Sequence, residues 1–363
     1  MSKKISALNE EGKPVDWWFM YKVPKMTANG DSHEATGYEY LYYDKPTGKF
    51  ITSANQLTSG KGALHLTLKS VFDMPASSTG WIFYNDEIPE DSKGKDSGSY
   101  GHTKGVLAFD IESKTALWLL HSWPKYVDPH PLHLDHMPVP NYGQTFLCIS
   151  LDLATAVSIA AQMIDHQEPQ VYTSRLPASM DKTNALYVLT KNVDTNAPGD
   201  SHILDCKTRG GQDFKVIAKN KKWGKDFWNN LVGPALKEDM DVETWIRGPI
   251  PPALDSDGVH KIFDVKFIDF RPLGFPYVWS ETHDHAKWGL TVKNDWICVG
   301  DINRMISQEK RGGGTIAFQD KNLWKALKQT DLLVPPKGHT VEKAKEILKS
   351  THKASHSGEN SPE

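Results

Sequence analysis

Two copies of a His-x-Lys triplet, His102-Thr103-Lys104 and His285-Ala286-Lys287, lie 183 positions apart in this chain of 363 residues. In an extended strand, residues i and i+2 point to the same side, so each triplet presents an imidazole and an ammonium group together. A short apolar run follows each triplet, at residues 106–109 and 296–299. If the triplets form one site, the fold must bring two strands from distant parts of the chain together.

A pair of such triplets contains the side chains needed to cleave a phosphodiester bond without a metal ion. One imidazole can attack phosphorus, a second can protonate the leaving oxygen, and the ammonium groups can stabilise charge on the equatorial oxygens. A single His-x-Lys is more often part of a solvated strand, because a chain with 15 His contains such triplets by chance. The pair in its loop-to-strand context is what predicts a catalytic site.

The composition indicates a globular protein with room for about two domains. Acidic residues interrupt the N-terminal region before any long apolar segment, so we expect no signal peptide. The least polar stretch, residues 147–164, contains Asp152, which favours a strand followed by a packed helix over a membrane span. Three widely spaced cysteines and no Asn-x-Ser/Thr sequon predict a reducing, cytoplasmic or bacterial-type setting without a disulfide framework.

The charge balance constrains how a polyanion could bind. The formal net charge is −3 at pH 7, so a nucleic-acid site must be a local basic cleft. Protonation of most of the 15 histidines near pH 5 would move the net charge to about +11. We therefore expect affinity for DNA to rise as the pH falls.

The order of apolar segments predicts an α/β protein in two halves, residues 1–170 and 171–334, followed by a polar, disordered tail, 335–363. Strands are predicted at residues 17–23, 38–43, 81–85, 105–109, 116–120, 145–149, 265–268 and 296–299. Helices are predicted at residues 153–164, 225–237 and 321–328, with Ser150 or Asp152 as the cap of the first. One short helix is predicted within the tail, at residues 341–349.

Most of the chain, residues 11–330, resembles the deoxyribonuclease II family, which is placed with the phospholipase D-like fold. The matching segments are residues 12–17, 21–22, 41–44, 84–86, 101–106, 142–145, 284–288, 300–304 and 311–315. The resemblance implies two similar halves of mixed sheet and helix that form an intrachain pseudo-dimer around one site. It also implies a metal-independent acid endonuclease without cofactors, leaving 3′-phosphate and 5′-hydroxyl ends through a phosphohistidine.

The expected catalytic residues are His102, Lys104, His285, Lys287 and Asn303. Asn303 ends a Gly-x-x-Asn segment that resembles the one after the second triplet of phospholipase D-like sites, and its amide can donate to a phosphoryl oxygen. Which histidine attacks is left open. The family's early cysteine partner of Cys148 is missing here, and Cys298 also lacks its mate, so a lysosomal location is not expected.

Further residues are candidates for binding DNA, expected to be double-stranded, as a monomer with pseudo-dimeric halves or as a homodimer. These residues are Ser122, Trp288, Arg304, Arg311, Lys221 and Lys222. Ser122 could replace an asparagine in the first half, whereas Asp110 lies one place later than the usual acidic partner. The glycines 312–314 could let the backbone approach a phosphate.

Three other interpretations of the sequence remain open. His130, His133, Asp135 and His136 could bind zinc, although their irregular spacing in a proline-rich loop favours a solvated loop. A phospholipase D-like lipid hydrolase is an alternative function, but no apolar segment for docking on a membrane is evident. A non-enzymatic nucleic-acid-binding protein on the same fold is the alternative from another class.

Overall fold

The computed structural model describes residues 4–27, 33–89, 99–126, 141–249 and 260–333, which form a mixed α/β protein with several sheets. The strands of these ranges are β1 (Ala7–Leu8), β2 (Pro14–Val15), β3 (Trp17–Lys22), β4 (Tyr40–Asp44), β5 (Ile51–Thr52), β6 (Thr79–Asn85), β7 (Lys104–Asp110), β8 (Thr115–His121), β9 (Gln144–Asp152), β10 (Val171–Arg175), β11 (Ser201–Lys207), β12 (Asp213–Lys219), β13 (Met240–Glu243), β14 (Ile262–Asp264), β15 (Phe267–Asp269), β16 (Val278–Ser280), β17 (Trp288–Thr291), β18 (Trp296–Gly300), β19 (Gly313–Gln319) and β20 (Asp331–Leu332). The α-helices are α1 (Gly62–Phe72), α2 (Leu153–Gln162), α3 (Ala185–Leu189), α4 (Gly233–Leu236) and α5 (Lys321–Thr330). Short π-helical segments span Met163–Gln167 and Trp228–Val232, and 3-10 turns span Arg271–Leu273, Glu281–His283 and Ile306–Lys310.

The first large sheet has eight antiparallel strands in the order β10-β6-β7-β8-β9-β3-β4-β5. Along each strand the side chains alternate between two apolar cores, because successive side chains point to opposite faces of the sheet. In β3, Trp17, Phe19 and Tyr21 enter the central core. Trp18 and Met20 enter a second core that includes residues of α1. Both faces of this sheet are therefore covered.

The second large sheet has seven strands in the order β11-β12-β19-β18-β17-β13-β14, and β13–β14 is its parallel pair. The central core contains residues from both large sheets and from α2 and α5. Trp17 and Phe318 contact across it with ring centroids 5.1 Å apart. A third core covers the other face of the second sheet with residues of the 228–236 helical segment. The two large sheets thus share one apolar interior.

Two small sheets complete the described fold. β1 pairs with β2, and the order β16-β15-β20 forms a three-stranded sheet. β16 is followed directly by the turn Glu281–His283, which leads the chain into the second triplet. This small sheet therefore sets the approach of the chain to His285.

Most of the predicted strands are confirmed, as β3, β4, β6, β7, β8, β9 and β18. The helix predicted at residues 153–164 is confirmed as α2, but the Asp152 side chain makes no capping hydrogen bond and Ser150 lies in β9. The helix predicted at 321–328 is confirmed as α5, and the Asp320 carboxylate caps it by accepting from the main-chain N–H groups of Asn322 and Leu323.

Other secondary-structure predictions need correction. The helix predicted at 225–237 is shorter, because it consists of a π-helical segment and the four residues of α4. The strand predicted at 265–268 begins at Phe267. Several elements were not predicted, among them helix α1 and strands β12, β17 and β19. The tail 335–363, with its predicted helix, and the loop carrying His130, His133, Asp135 and His136 lie outside the described residues.

Three further observations concern the chain as a whole. Strand β10 pairs with β6 at the edge of the first large sheet, although it follows the predicted boundary at residue 170. Cys148, Cys206 and Cys298 are all free thiols. Among the described residues, every helix is too short or too polar to span a lipid bilayer.

Candidate active site

The two triplets enter equivalent hairpins of the two large sheets. Lys104 begins β7, which pairs with β8, and Lys287 directly precedes β17, which pairs with β18. The first residue after each lysine is paired in the same way, Gly105 with Leu120 and Trp288 with Val299. The predicted loop-to-strand position is confirmed for the first triplet. The second triplet enters β17, which was not predicted, and the strand predicted at residues 296–299 is its hairpin partner β18.

Each triplet is hydrogen-bonded to the start of a strand in the other sheet. The main-chain N–H of His102 donates to the carbonyl of Gly312, which precedes β19, over 2.8 Å. The main-chain N–H of His285 donates to the carbonyl of Gly143, which precedes β9, over 2.9 Å. These reciprocal bonds bring the two triplets together at one junction between the sheets.

The imidazole of His102 lies against main-chain and acidic groups. Its Nδ1 is 2.5 Å from the carbonyl oxygen of Asp301, and its Nε2 is 3.8 Å from Oδ2 of Asp86. Burial, and then the charge of Lys104, lower the pKa of His102 well below its usual range. Because a carbonyl oxygen only accepts hydrogen bonds, Nδ1 carries the proton and Nε2 holds the lone pair of the neutral ring.

Asp86 is the buried counter-charge of the first triplet. Its carboxylate accepts from Nζ of Lys104 and forms an ion pair with Arg311, at 3.0 Å from Oδ2 to the guanidinium. Burial opposes ionisation, but Lys104, His102 and Arg311 together hold the pKa of Asp86 below its usual range. The ammonium group of Lys104 is therefore held by a permanent negative partner.

The imidazole of His285 is held by aromatic rings. It stacks on Tyr142, with centroids 4.0 Å apart and an interplanar angle of 11°, and it contacts Trp245 at 4.3 Å. Its Nε2 is buried and has no hydrogen-bond partner within the described residues. Burial, and then the charges of Lys287 and Lys104, lower the pKa of His285 well below its usual range. This ring nitrogen is available to a ligand.

Lys287 differs from Lys104 in its partners. Its Nζ donates to the main-chain carbonyl of His285, two residues earlier in the same triplet, over 2.6 Å. Within the described ranges Lys287 forms no ion pair. Burial, and then the charge of Lys104, lower the pKa of Lys287 to about 7. The two lysines are thus close enough to repel each other, and only one has a carboxylate partner.

Asp301 and Asn303 follow β18 at the same junction. Oδ2 of Asp301 and Oδ1 of Asn303 are buried without hydrogen-bond partners within the described residues. Burial raises the pKa of Asp301 well above its usual range. Asn303 is 3% exposed, so its amide is buried, two residues after Asp301.

Asp284 anchors the backbone of the second triplet. Its carboxylate accepts from the Tyr21 hydroxyl at 2.5 Å, from Nε1 of Trp279 at 2.7 Å and from the main-chain N–H of Ala286 at 2.7 Å. Burial raises the pKa of Asp284. Glu243 lies nearby, fully buried, and burial followed by the charge of Asp284 raises its pKa well above its usual range. Neither carboxylate oxygen of Glu243 has a partner within the described residues.

Close approach of the backbone at Gly101 positions the first triplet. A Cβ atom there would lie 1.8 Å from the carbonyl oxygen of Gln167 and 2.9 Å from that of Gly312. The main-chain N–H of Gly101 donates to the carbonyl of Glu168 over 2.7 Å. Only glycine fits between the end of the π-helical segment and the start of β19.

The two predicted histidines and the two predicted lysines are brought together. Burial is the largest cause of the lowered histidine pKa values, but the charges of each triplet also act on the other, Lys287 on His102 and Lys104 on His285. Asn303 belongs to the same junction through Asp301. Arg311 also lies there, paired with Asp86.

Several expected DNA contacts are not supported by the structure. Trp288 is completely buried and donates from Nε1 to the Tyr21 hydroxyl at 3.1 Å, so it offers no surface to DNA. Arg304 is also buried, because its guanidinium forms ion pairs with Asp226 at 3.1 Å and Asp264 at 2.7 Å.

Lys221 and Lys222 are engaged with neighbouring loops. Nζ of Lys221 lies 2.9 Å from Oδ2 of Asp194 and 3.4 Å from Oε1 of Glu168. Nζ of Lys222 donates to Oδ1 of Asn196 over 2.5 Å. Lys221 is thus neutralised, and a contact of either lysine with DNA remains a prediction.

Ser122 and Asp110 also have internal partners. The Ser122 hydroxyl donates to Oε1 of Gln144 at 2.5 Å. The main-chain N–H of Ser122 donates to the carbonyl of Thr145, and at the matching place in the second sheet the main-chain N–H of Asp301 donates to the carbonyl of Gly314. Ser122 therefore corresponds in register to Asp301, not to Asn303. Asp110 ends β7, opposite to the triplet, and accepts from the main-chain N–H of Ser113 in the β7–β8 turn.

The sequence reasoning missed five side chains of the site, which are Asp86, Tyr142, Trp245, Asp284 and Asp301. All of these except Trp245 lie inside the segments that carry the family resemblance. Their position in those segments was the signal that could have identified them. Trp245 lies outside them and had no signal in the sequence. Within the described residues, no three His, Cys, Asp or Glu side chains are grouped to hold a metal ion.

Comparison with known proteins shows the family of this chain. A family model described as Deoxyribonuclease II matches residues 6–335. The chain is 62% identical over 348 residues to a Burkholderia pseudomallei protein named "Putative deoxyribonuclease-2", covering 96% of the chain and 98% of that relative. It is 33% identical over 337 residues to deoxyribonuclease-2-alpha of Rattus norvegicus, covering 90% and 93%. It is 32% identical over 333 residues to plancitoxin-1 of Acanthaster planci, covering 90% of each. The chain therefore belongs to the deoxyribonuclease II family.

Proposed function

We propose that this deoxyribonuclease II-type endonuclease cleaves double-stranded DNA without a metal ion, with one histidine attacking phosphorus and the other protonating the leaving oxygen. The observation that carries the proposal is the reciprocal main-chain bonding of His102 and His285. It supports a single centre with two imidazoles and two ammonium groups, which is the set needed for transfer of a phosphoryl group through a histidine.

His102 is the nucleophile in this proposal. Its Nδ1–H is directed to the Asp301 carbonyl, which leaves the lone pair of Nε2 for phosphorus. Attack forms a bond from Nε2 to phosphorus and breaks the bond from phosphorus to O5′. Lys104, Lys287 and the amide of Asn303 donate to the non-bridging oxygens, where charge is greatest in the transition state.

His285 is the general acid. It gives a proton to O5′, which leaves as a 5′-hydroxyl, and the phosphate remains on the 3′ oxygen as a phosphohistidine ester. Neutral His285 then takes a proton from water as the water oxygen attacks phosphorus. The bond to Nε2 of His102 breaks, and a 3′-phosphate is released.

A pH optimum in the acid range follows from the environment of His285, the general acid. Burial and neighbouring cations lower the pKa of His285, so the charged imidazole becomes abundant only as the pH falls. A bound phosphodiester is negative and favours the charged imidazole, which moves this pKa upward. Activity should therefore rise on acidification until the nucleophilic histidine is itself protonated.

The hairpins β7–β8 and β17–β18 also support a phospholipase D-like pseudo-dimer. They carry the triplets in matching register, and each sheet supplies a carbonyl to the triplet of the other. We propose that the two halves are related by this local symmetry, with DNA at their junction. The binding unit is then either one chain or a pair of copies.

The first test is cleavage of plasmid DNA near pH 5 in EDTA, followed by analysis of the ends. The expected products carry 3′-phosphate and 5′-hydroxyl groups. His102→Ala and His285→Ala should each abolish detectable cutting. A requirement for a metal ion, or 5′-phosphate products, would contradict the proposed chemistry.

A second substrate separates the two histidines. In thymidine 3′-(4-nitrophenyl phosphate), the nitrophenolate leaves without protonation, so the step no longer needs a general acid. His285→Ala should still release one equivalent of nitrophenolate per site in a burst, whereas His102→Ala should release none. Loss of the burst in both variants, or only in His285→Ala, would contradict the assignment of roles.

A further inference from the structure

A stack of four side chains borders the site on the side of the second triplet. It consists of Arg247, Trp245, Tyr142 and His285, and we name it the Arg247 stack. The Arg247 guanidinium lies 4.5 Å from the centre of the Trp245 ring and donates to the Tyr142 hydroxyl at 3.0 Å. Trp245 and Tyr142 in turn contact the imidazole of His285 at 4.3 and 4.0 Å.

Three separate parts of the chain build this stack. Tyr142 directly precedes Gly143, whose carbonyl holds the backbone of His285. Trp245 follows β13, and the main-chain N–H of Arg247 is 3.3 Å from the sulfur of Met305, two residues after Asn303. The stack therefore connects the rim of the site, which we define by the exposed Arg247, to the imidazole of His285.

Arg247 is exposed, and its guanidinium interacts with neutral groups. Within the described residues its contacts are the Tyr142 hydroxyl and the Trp245 ring, and no carboxylate pairs with it. By contrast, Arg311 and Arg304 are paired with aspartates. A guanidinium has five N–H donors in a fixed plane that matches a phosphate, and the remaining donors of Arg247 are open to a ligand.

We propose that Arg247 is a substrate-binding residue that holds a DNA phosphate adjacent to the scissile one, and that Tyr142 and Trp245 are positioning residues for both Arg247 and His285. The inference rests on the proposed function, because it takes His285 as the general acid. The ring contacts restrict rotation of the imidazole, and the Tyr142 hydroxyl and Trp245 face restrict the guanidinium. One cluster thereby fixes the distance between a bound phosphate and the proton donor.

The charge of Arg247 also acts on His285. Burial is the largest cause of the lowered pKa of His285, and the cations Lys287, Lys104, Arg247 and His102 lower it further. The neighbouring carboxylate, Asp284, is directed to Tyr21 and Trp279. A phosphate bound to Arg247 would offset part of the cationic field on the imidazole, so DNA binding at the rim would favour the charged acid.

Binding is measured in a His102→Ala background, so that cleavage does not interfere. Adding Arg247→Gln should weaken binding of a DNA duplex about tenfold, as expected for the loss of one charge-assisted hydrogen-bonded contact. It should also reduce the slope of log K against log salt by about 1, as for loss of one phosphate contact. Arg247→Lys should keep the slope, because the charge remains, but bind more weakly than arginine.

The matched control is Arg175→Gln. Arg175 also lies over a tryptophan, 5.7 Å from the ring of Trp81, but on the edge strand β10 near the end of β6 that is remote from the triplets. Its substitution should leave the affinity and the salt slope unchanged. Equal effects of Arg247→Gln and Arg175→Gln, or no effect of either, would overturn the role of Arg247.

The positioning role has its own readout. Tyr142→Ala should lower kcat on DNA by up to about a hundredfold, because a poorly oriented acid is inefficient, but it should retain the nitrophenolate burst, which needs no acid. Tyr142→Phe keeps the ring and should retain kcat on DNA while weakening binding. Loss of the burst in Tyr142→Ala would show general damage to the site and overturn this role.

These results are separable from the proposed function. If the intact protein cleaves DNA in EDTA and depends on both histidines, but Arg247→Gln retains the affinity and slope, only the inference fails. If the intact protein fails to cleave, the proposed function fails, and the binding experiment in the His102→Ala background still decides whether Arg247 holds a phosphate.

Discussion

The main-chain N–H of His285 donates to the carbonyl of Gly143 over 2.9 Å, and the N–H of Gly143 donates to the carbonyl of His283 over 2.7 Å. Gly143 leads into β9 of the first large sheet, whereas His285 leads into β17 of the second. The two bonds form a parallel bridge across the junction of the sheets, with Gly143 opposite Asp284. The position of one histidine is therefore determined by the strand that begins in the other sheet.

Gly143→Ala should disturb this bridge. A Cβ atom at residue 143 would lie 2.6 Å from Oδ2 of Asp284, and that buried carboxylate cannot move without losing Tyr21 or Trp279. We expect a loss of stability of about 1–3 kcal/mol from overpacking, measured by urea unfolding, and a lower kcat on DNA. Gly233→Ala is the control, since its Cβ would meet its nearest neighbour at 3.4 Å. An unchanged kcat in Gly143→Ala would contradict the bridge's role in placing His285.

Asp86→Asn should destabilise the protein strongly. It would leave Lys104 and Arg311 without their carboxylate partner in a buried environment, which costs about 3–5 kcal/mol. The negative charge of Asp86 also opposes the lowering of the His102 pKa, so this pKa should fall further. Chemical unfolding and a histidine NMR titration measure the two effects. Asp73→Asn removes an exposed ion pair with Lys69 and should cost less than about 1 kcal/mol; a similar cost in both variants would count against a buried cluster.

Lys287→Met should move the pH dependence of the site upward. Burial and cations lower the pKa values of His102 and His285, and Lys287 is one of these cations. Its removal should raise both histidine pKa values and shift the alkaline limb of kcat to higher pH, although kcat itself falls. Because the pKa of Lys287 is about 7, its charge is present mainly below that pH. NMR titration of the imidazoles without DNA measures the shift. Lys293→Met, in the β17–β18 turn, should leave the titration unchanged, and a downward shift in Lys287→Met would refute the electrostatic account.

Glu243→Gln should stabilise the protein increasingly as the pH rises. Burial raises the pKa of Glu243, so the folded state binds a proton that the unfolded state releases above its usual pKa of about 4.5. The resulting contribution to stability is complete below that pH and is lost as the pH rises through the folded pKa. Glutamine mimics the protonated carboxyl and removes this loss. Thermal melting at pH 5 and pH 7.5 measures the effect, with exposed Glu112→Gln as the control. A variant whose advantage is larger at pH 5 than at pH 7.5 would show the opposite linkage.

His102 and His285 change the stability of the fold with pH in the opposite direction to Glu243. Their lowered pKa values mean that the unfolded state binds protons more readily below its usual pKa of about 6.5, so stability falls as the pH decreases through that range. The buried carboxyls Glu243 and Asp301 favour the folded state in acid. The buried carboxyls therefore offset part of the destabilisation that the two histidines cause in acid.

The predictions from sequence succeeded where a local pattern reflects a local structure. The aromatic-rich segment predicted as a strand at residues 17–23 is β3, whose two faces are covered by apolar cores. The buried side chains Ala156, Ile159 and Ala160 of α2 follow the helical period. The prediction for residues 225–237 was less accurate because a π-helical segment and Pro234 interrupt the ordinary helical pattern.

The individual DNA contacts were predicted less well. Trp288 and Arg304 have side chains suited to nucleic acid, but burial directs them to Tyr21, Asp226 and Asp264. Arg247 and Trp245 had no distinguishing spacing, because their relation to His285 depends on how β13 and the start of β9 meet. Residue type indicated possible chemistry, whereas exposure and partners decided whether it was available.

The amino-acid sequence by itself determined the two His-x-Lys triplets, the strand that follows the first of them and the family to which the chain belongs. Residue chemistry and local pattern were sufficient for the triplets and the strand, and the matching segments along residues 11–330 carried the resemblance to the family. Only the tertiary structure decided that His102 bonds to Gly312 and His285 to Gly143, that Asp86 pairs with Lys104 and Arg311, and that Arg247 is exposed beside Trp245 and Tyr142. These features depend on main-chain bonds and burial between residues far apart in the chain, and such contacts exist only after the two large sheets have packed on their common core.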